Sequence, residues 1–185
     1  ADSQEEAAGG LLLFFKGREM EKVLAGIDRM NIWLGRSTGF LAFFVAAAIV
    51  YEVIVRHFFN RPTVWANEST IFAACVIYML AGGWAVLEDR HVRIDLFYHG
   101  FSARKRAVID CVTYPFFALY IVVMLWASSK YAWESLQLRE TTMSPWNPPI
   151  YPMKILMTVG LLLILLQGTA RLIRNLYFLR GKTLS

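Results

Sequence analysis

Four long apolar blocks constrain this chain more than anything else in it, and the clearest lies within Val64 to Asp95. Trp65 and Glu68 open it one helical turn apart. The apolar run 66–87 follows, and a polar cluster of Glu88, Asp89, Arg90, His91, Arg93 and Asp95 closes it. A bilayer core about 30 Å thick needs roughly 20 helical residues, and this run supplies them. The apolar residues, 57 % of the chain, are gathered into blocks instead of scattered, which selects a membrane protein over an apolar soluble one.

The other blocks repeat the pattern. Residues 37–55 form a first span whose charge, Glu52, stands four residues before Arg56, the favourable order for a helical ion pair. HFFNRPT then turns the chain, because Pro62 disfavours helix at Arg61. A third span is read at 107–129, with Asp110 reaching the headgroups at its start and Pro115 inside it. A fourth is read at 150–172, with Lys154 snorkelling outward in its first turn. Lys130 to Pro149 is the longest polar connection, and its prolines make Pro145 to Pro149 extended and semi-rigid; Trp146 and Tyr151 fit an interfacial aromatic belt. Ahead of the spans, Met20, Val23, Leu24, Ile27, Met30 and Leu34 recur at helical spacing, while Lys22, Asp28 and Arg29 point elsewhere. That segment, 11–35, reads as an amphipathic helix lying in the interface. The expected fold is all-α: one membrane domain over 1–185, with four transmembrane helices and an N-terminal interfacial amphipathic helix. Leu11 to Phe15 is too short for the apolar region of a signal peptide, so no cleavable signal is expected.

The net charge of +5 flanks the spans, so it speaks for a membrane and not for nucleic acid. Lys16, Arg18, Lys22, Arg29 and Arg36 precede the first span. Arg90, Arg93, Arg104, Lys105 and Arg106 lie between the second and third, and Arg171, Arg174, Arg180 and Lys182 close the chain. Only Arg56, Arg61, Lys130, Arg139 and Lys154 fall on the opposite side. This bias puts both termini in the cytosol.

No constellation carries chemistry: the expectation is no catalytic, substrate-binding or metal site and no cofactor in this chain. Cys75 and Cys111 lack the paired spacing of metal or redox motifs. His57, His91 and His99 lie in loops or at span ends, whereas haem between helices needs ligands within the spans. Ion relays need ionisable groups deep in the membrane, and no span has a charge at its middle. Glu68 is the best single candidate for a special role. Its carboxylate pairs with Arg56 or Arg61 across the turn, or else with a cation on a partner. Gly82 and Gly83 permit close helix approach. The cluster from Arg90 to Asp95 is either a solvated helix end or a dock for anionic lipid or a partner's loops.

These motifs together resemble the small membrane subunit of TRAP (tripartite ATP-independent periplasmic) transporters. The resemblance rests on Arg56, Pro62, Trp65 and Glu68 before span two and on the Gly82-Gly83 pair. It rests also on Glu88 to Asp95 at the end of that span, on Arg104-Lys105-Arg106, and on the Trp146 and proline motif running to Pro152. Asn67 stands where the family often carries a second acid. The resemblance implies a non-catalytic bacterial inner-membrane subunit bound to a large multi-span membrane subunit that holds the sodium and substrate sites. A periplasmic substrate-binding protein would deliver an organic acid anion, such as a dicarboxylate or a sialic acid. On this reading Trp65, Glu68, Gly82, Gly83, His91 and Asp95 are subunit-interface candidates. Arg56, Arg61 and Trp146 are candidates for docking the binding protein. Lys22, Arg29, Arg104, Lys105 and Arg106 are lipid headgroup candidates. The alternative is a four-helix membrane anchor of a respiratory redox complex; a third class is a stand-alone small channel.

Overall fold

A computed structural model describes the backbone of residues 2–88 and 101–181, with side chains from residue 20 onward. Four helices carry it: α1 (Asp2–Phe59), α2 (Ala66–Leu87), α3 (Ala103–Leu138) and α4 (Tyr151–Leu179). Each contains a stretch long and apolar enough to cross a membrane, so the expected all-α, four-span fold holds.

The division of the N-terminal region does not. No break separates an interfacial helix at 11–35 from a span at 37–55; one helix of 58 residues runs through both. Two features explain this. Ser37 and Thr38, polar residues at the expected junction, donate their hydroxyls back to the carbonyls of Trp33 (2.8 Å) and Gly35 (2.6 Å) and so continue the helix. The inward stripe also keeps a seven-residue repeat across the junction, through Leu24, Asn31, Thr38, Val45 and Glu52 with Ile27, Leu34, Leu41, Ala48 and Val55. Such a repeat seats a helix along a partner in a left-handed seam. Asp28 accordingly faces the seam and not water, bonding to α4.

Helix α2 occupies the expected range. Its contacts set the register of α1: Asn31 lies at Gly83, Gly35 at Trp84, and the Tyr51 and Trp65 rings are 5.8 Å apart. The part of α1 that these contacts place against α2 runs over 31–51, starting six residues before the expected 37–55. The turn between them closes on Glu52. That carboxylate takes Arg56 at 2.7 Å and accepts both the backbone N–H of Thr63 (3.1 Å) and its hydroxyl.

Helix α3 starts earlier and ends later than the expected 107–129. Its buried stripe (Ala107, Ile121, Ser128 and Ser135, with Tyr114 half-buried) keeps the seven-residue period to the end, so packing carries the helix through the polar residues after Ser129. It stops in a Schellman motif, with Arg139 left-handed (φ 48°). The N–H of Arg139 bonds to Leu136 O (3.2 Å) and that of Glu140 to Ser135 O (3.1 Å). Helix α4 begins with Pro152 in its first turn, where a missing N–H costs nothing. It extends past Leu172 to Leu179 as the counterpart of the lengthened α1.

Helix α4 is the hub. Among the described residues it packs on α1, α2 and α3; α1 also packs on α2, and α3 makes its main contact with α4 alone. Three glycines make these crossings tight. A β-carbon at Gly160 would stand 2.7 Å from the carbonyl oxygen of Met79. One at Gly168 would stand 2.5 Å from the Phe117 ring, and one at Gly82 2.8 Å from Ile164. Both flanking helices leave broad apolar faces uncovered, including Phe40, Phe43 and Val50 on α1 and Phe116, Leu119 and Trp126 on α3.

Candidate functional site

The polar residues of the spans form two seams on α4 and one corner. At the seam with α1, Asn31 and Gln167 are fully buried. The Asn31 amide donates to Gln167 Oε1 (2.8 Å) and to the Ile27 carbonyl (3.1 Å). Gln167 in turn donates to Asp28 Oδ1 (2.8 Å), and Arg174 closes the chain on Asp28 at 2.5 Å. Asn31 Oδ1 has no hydrogen-bond donor among the described residues. It points at Gly83, where any β-carbon would overlap it, leaving a Cα–H···O contact of the kind found where helices cross closely.

At the seam with α3, Asp110 takes Arg171 (3.3 Å) and Asn175 (3.1 Å). Tyr114 and Thr169 share a 2.7 Å hydroxyl contact, and Thr158 donates to Ser128 at 3.3 Å. Asp110 is thus turned toward α4 and not out to headgroups. Lys154 also turns inward. It pairs with Glu140 at 2.5 Å and sits 4.0 Å above the Tyr131 ring, a cation–π arrangement, instead of snorkelling outward. Ser135 gives Glu140 a second donor at 2.7 Å.

Lys154, and then Ser135, hold the Glu140 carboxyl below the usual carboxylate range. A depressed acid contributes stability that is present above its ordinary pKa and lost as pH falls through the lowered folded value. Acidification across that window is therefore expected to loosen the α3–α4 junction, read as a loss of protection at the Glu140 and Ile150 amides relative to their intrinsic exchange rates at each pH. Glu140→Gln should exchange faster already at neutral pH and show little further loss of protection on acidification. An unaltered acid response in that variant would rule the pair out as its cause.

The connection 139–150 is a built hairpin. Thr141 and Pro149 form an antiparallel bridge, Thr142 N–H donates to Pro148 O (3.1 Å), and Ile150 N–H donates to Glu140 O (2.9 Å). Thr142 also reaches Glu68 Oε2 at 3.2 Å, so Glu68 binds this hairpin and neither Arg56 nor Arg61. Arg56 belongs to Glu52, and Arg61 is exposed.

The other candidates fall as follows. Gly83 is buried against α1, and Gly82 faces Ile164 of α4. The close approach seen at both is to helices of this chain. Trp65 stacks near Tyr51 and stays partly exposed, as does Trp146. Lys22, Arg29, Arg104, Lys105 and Arg106 are exposed, and Arg106 donates to Phe101 O at 3.0 Å. His91 and Asp95 lie outside the described residues. No group of three or more metal-ligating side chains occurs among the described residues.

Sequence reasoning missed Asp28, Asn31, Gln167 and Thr142. Two of them carried a signal. Asn31 occupies a seam position of the repeat from Leu24, where a lone asparagine specifies register. Gln167 interrupts the run LLLILLQG.

No curated relative matches the chain. The family described as tripartite ATP-independent periplasmic transporters, DctQ component, matches residues 45–177. That region takes in the last part of α1, all of α2 and α3, and nearly all of α4. With four membrane-length helices and a match over most of its length, the chain belongs to the DctQ component family, the small permease subunits of tripartite ATP-independent periplasmic transporters.

Proposed function

We propose that this subunit braces the large transport subunit of a sodium-coupled importer of organic acid anions and helps dock the periplasmic substrate-binding protein. One observation carries the reading: the polar side chains at the two α4 seams and at the α1–α2 corner bond to the chain's own residues. Asp28, Asn31 and Gln167 fasten α1 to α4, Asp110 and Tyr114 fasten α3 to α4, and Glu52 closes the α1–α2 corner. Groups held this way stiffen a scaffold; a moving ion path needs groups that exchange partners. The uncovered apolar faces of α1 and α3 give the large subunit its seat, with lipid covering the rest. Sodium and the substrate anion are assigned to that larger chain, both termini of this one to the cytosolic side of the inner membrane, and Arg56, Arg61 and Trp146 to the docking face. The respiratory-anchor alternative gains no support from the family match.

The test is reconstitution with a tagged chain. The large subunit is expected to co-purify, and uptake in liposomes is expected to need both chains, a sodium gradient and the binding protein. Solute movement by this chain alone would sink the scaffold reading, and so would full uptake by the large subunit without it.

A further inference from the structure

The hairpin 139–150 carries an outlier that its hydrogen bonds explain only in part. Met143 sits in the left-handed region (φ 53°) with its side chain 91 % exposed. That conformation is uncommon for residues other than glycine, asparagine and aspartate, and strain of this kind persists only where surrounding contacts enforce it. The enforcing contacts are visible. Met143 N–H donates to Asn147 Oδ1 (3.1 Å), and Asn147 N–H donates to Ser144 Oγ (2.9 Å). Ser144 and Thr142 share a 2.9 Å hydroxyl contact, and Thr142 donates to Glu68 Oε2 (3.2 Å). The proton order follows from valence. Thr142 has one hydroxyl proton and gives it to the carboxylate, so Ser144 gives its own to Thr142. The result is a one-way relay that begins in the hairpin and ends on Glu68 in the first turn of α2.

From this relay we infer that Glu68 is a positioning residue: it holds the hairpin so that the strained Met143 tip, together with the exposed Trp146 of the same hairpin, is presented as an apolar anchor to a soluble protein partner. The inference rests on the docking part of the proposed function. Three features select that occupant. The hairpin lies beyond the first turns of α2 and α4, at the end the charge bias assigns to the periplasm. The tripartite family description implies a periplasmic component. Arg61 and Arg139 stand exposed at the same end, which suits an apolar socket with an acidic rim. A purely internal role for Glu68 accounts for the relay and the backbone of Met143 but gives no reason for a large apolar side chain 91 % exposed at that position.

The experiment uses the whole membrane complex in nanodiscs and the purified substrate-binding protein of the same transporter. Thr142→Val and Glu68→Ala should each speed amide exchange across 142–150 and weaken affinity for the binding protein about tenfold, the scale of one lost hydrogen bond. The double variant should be no worse than either single one, because both cut the same relay. In Thr142→Val, co-purification with the large subunit should not change, a separation that general destabilisation would not give. Met143→Gly removes the strain and the side chain together, so exchange should slow or hold while affinity falls about tenfold.

Unchanged exchange in Thr142→Val, a conservative change outside the helices, overturns the relay whatever happens to docking. Faster exchange with affinity unaltered in all three variants keeps the relay but overturns the docking reading of this hairpin, and with it the inference. If Met143→Gly releases the large subunit instead, the occupant is that subunit and the inference is likewise overturned.

Discussion

Replacing Gly160 with leucine is expected to cost the subunit its fold, by about 3 kcal/mol through overpacking. Gly160 lies where α4 crosses α2, and a β-carbon there would stand 2.7 Å from the Met79 carbonyl oxygen and 2.9 Å from Met79 Cβ. A flexible side chain can swing away from such an overlap. A backbone carbonyl already bonded within its own helix cannot, so the helices must separate. Separation at this crossing also disturbs Gly82 against Ile164 and weakens the hub that holds α1 and α3. The measurement is the folded fraction by size exclusion and thermal melting in detergent, with recovery of the large subunit as a second readout. Gly26→Ala is the control. Nothing lies within 4 Å of a β-carbon there, and removing a helical glycine should gain about 0.5–1 kcal/mol. Equal behaviour of the two variants would dismiss the crossing as the cause.

Gln167→Leu is expected to cost about 1–3 kcal/mol, the usual penalty for stranding buried polar partners. The glutamine accepts from Asn31 and donates to Asp28. Leucine does neither, so the fully buried Asn31 keeps only its bond to the Ile27 carbonyl. Asp28 is better placed because Arg174 remains. The loss should fall on the α1–α4 contact and appear as lower unfolding resistance, with exchange rising first in α1 below Gly35. Removing the second partner should then restore much of the loss, since replacing both members of a buried polar pair by apolar groups of similar shape is nearly neutral. Asn31→Leu with Gln167→Leu is therefore expected to be more stable than Gln167→Leu alone. A double variant that merely adds the two single losses would mean that the bond contributes little and that shape alone holds the seam.

Both predictions bear on function by the same route. A brace transmits no motion only while its internal contacts are stiffer than its contact with the moving partner, and the crossing at Gly160 and the Asn31–Gln167 bond are what make α1, α2 and α4 one body.

The spans were legible because bilayer thickness turns apolar run length directly into helix number; the bounds of α2 match those of the apolar run 66–87. Helix ends were less legible wherever a polar sequence stayed helical. The stretch after Ser129 and the Ser37-Thr38 junction look like breaks by composition, yet a seven-residue packing stripe and back-bonded hydroxyls carry the helices through. Least legible were the destinations of polar side chains. Asp28, Asp110 and Lys154 read as solvent- or headgroup-directed, and each turns inward because a partner from a distant part of the chain, Arg174, Arg171 or Glu140, is close enough to offset desolvation. The sequence by itself determined four membrane-length helices, because that depends on local length and polarity. Only the tertiary structure decided which helices touch, that Gly83 faces Asn31, and that Glu68 reaches Thr142 and neither Arg56 nor Arg61, because such pairings depend on register between segments that no local pattern encodes.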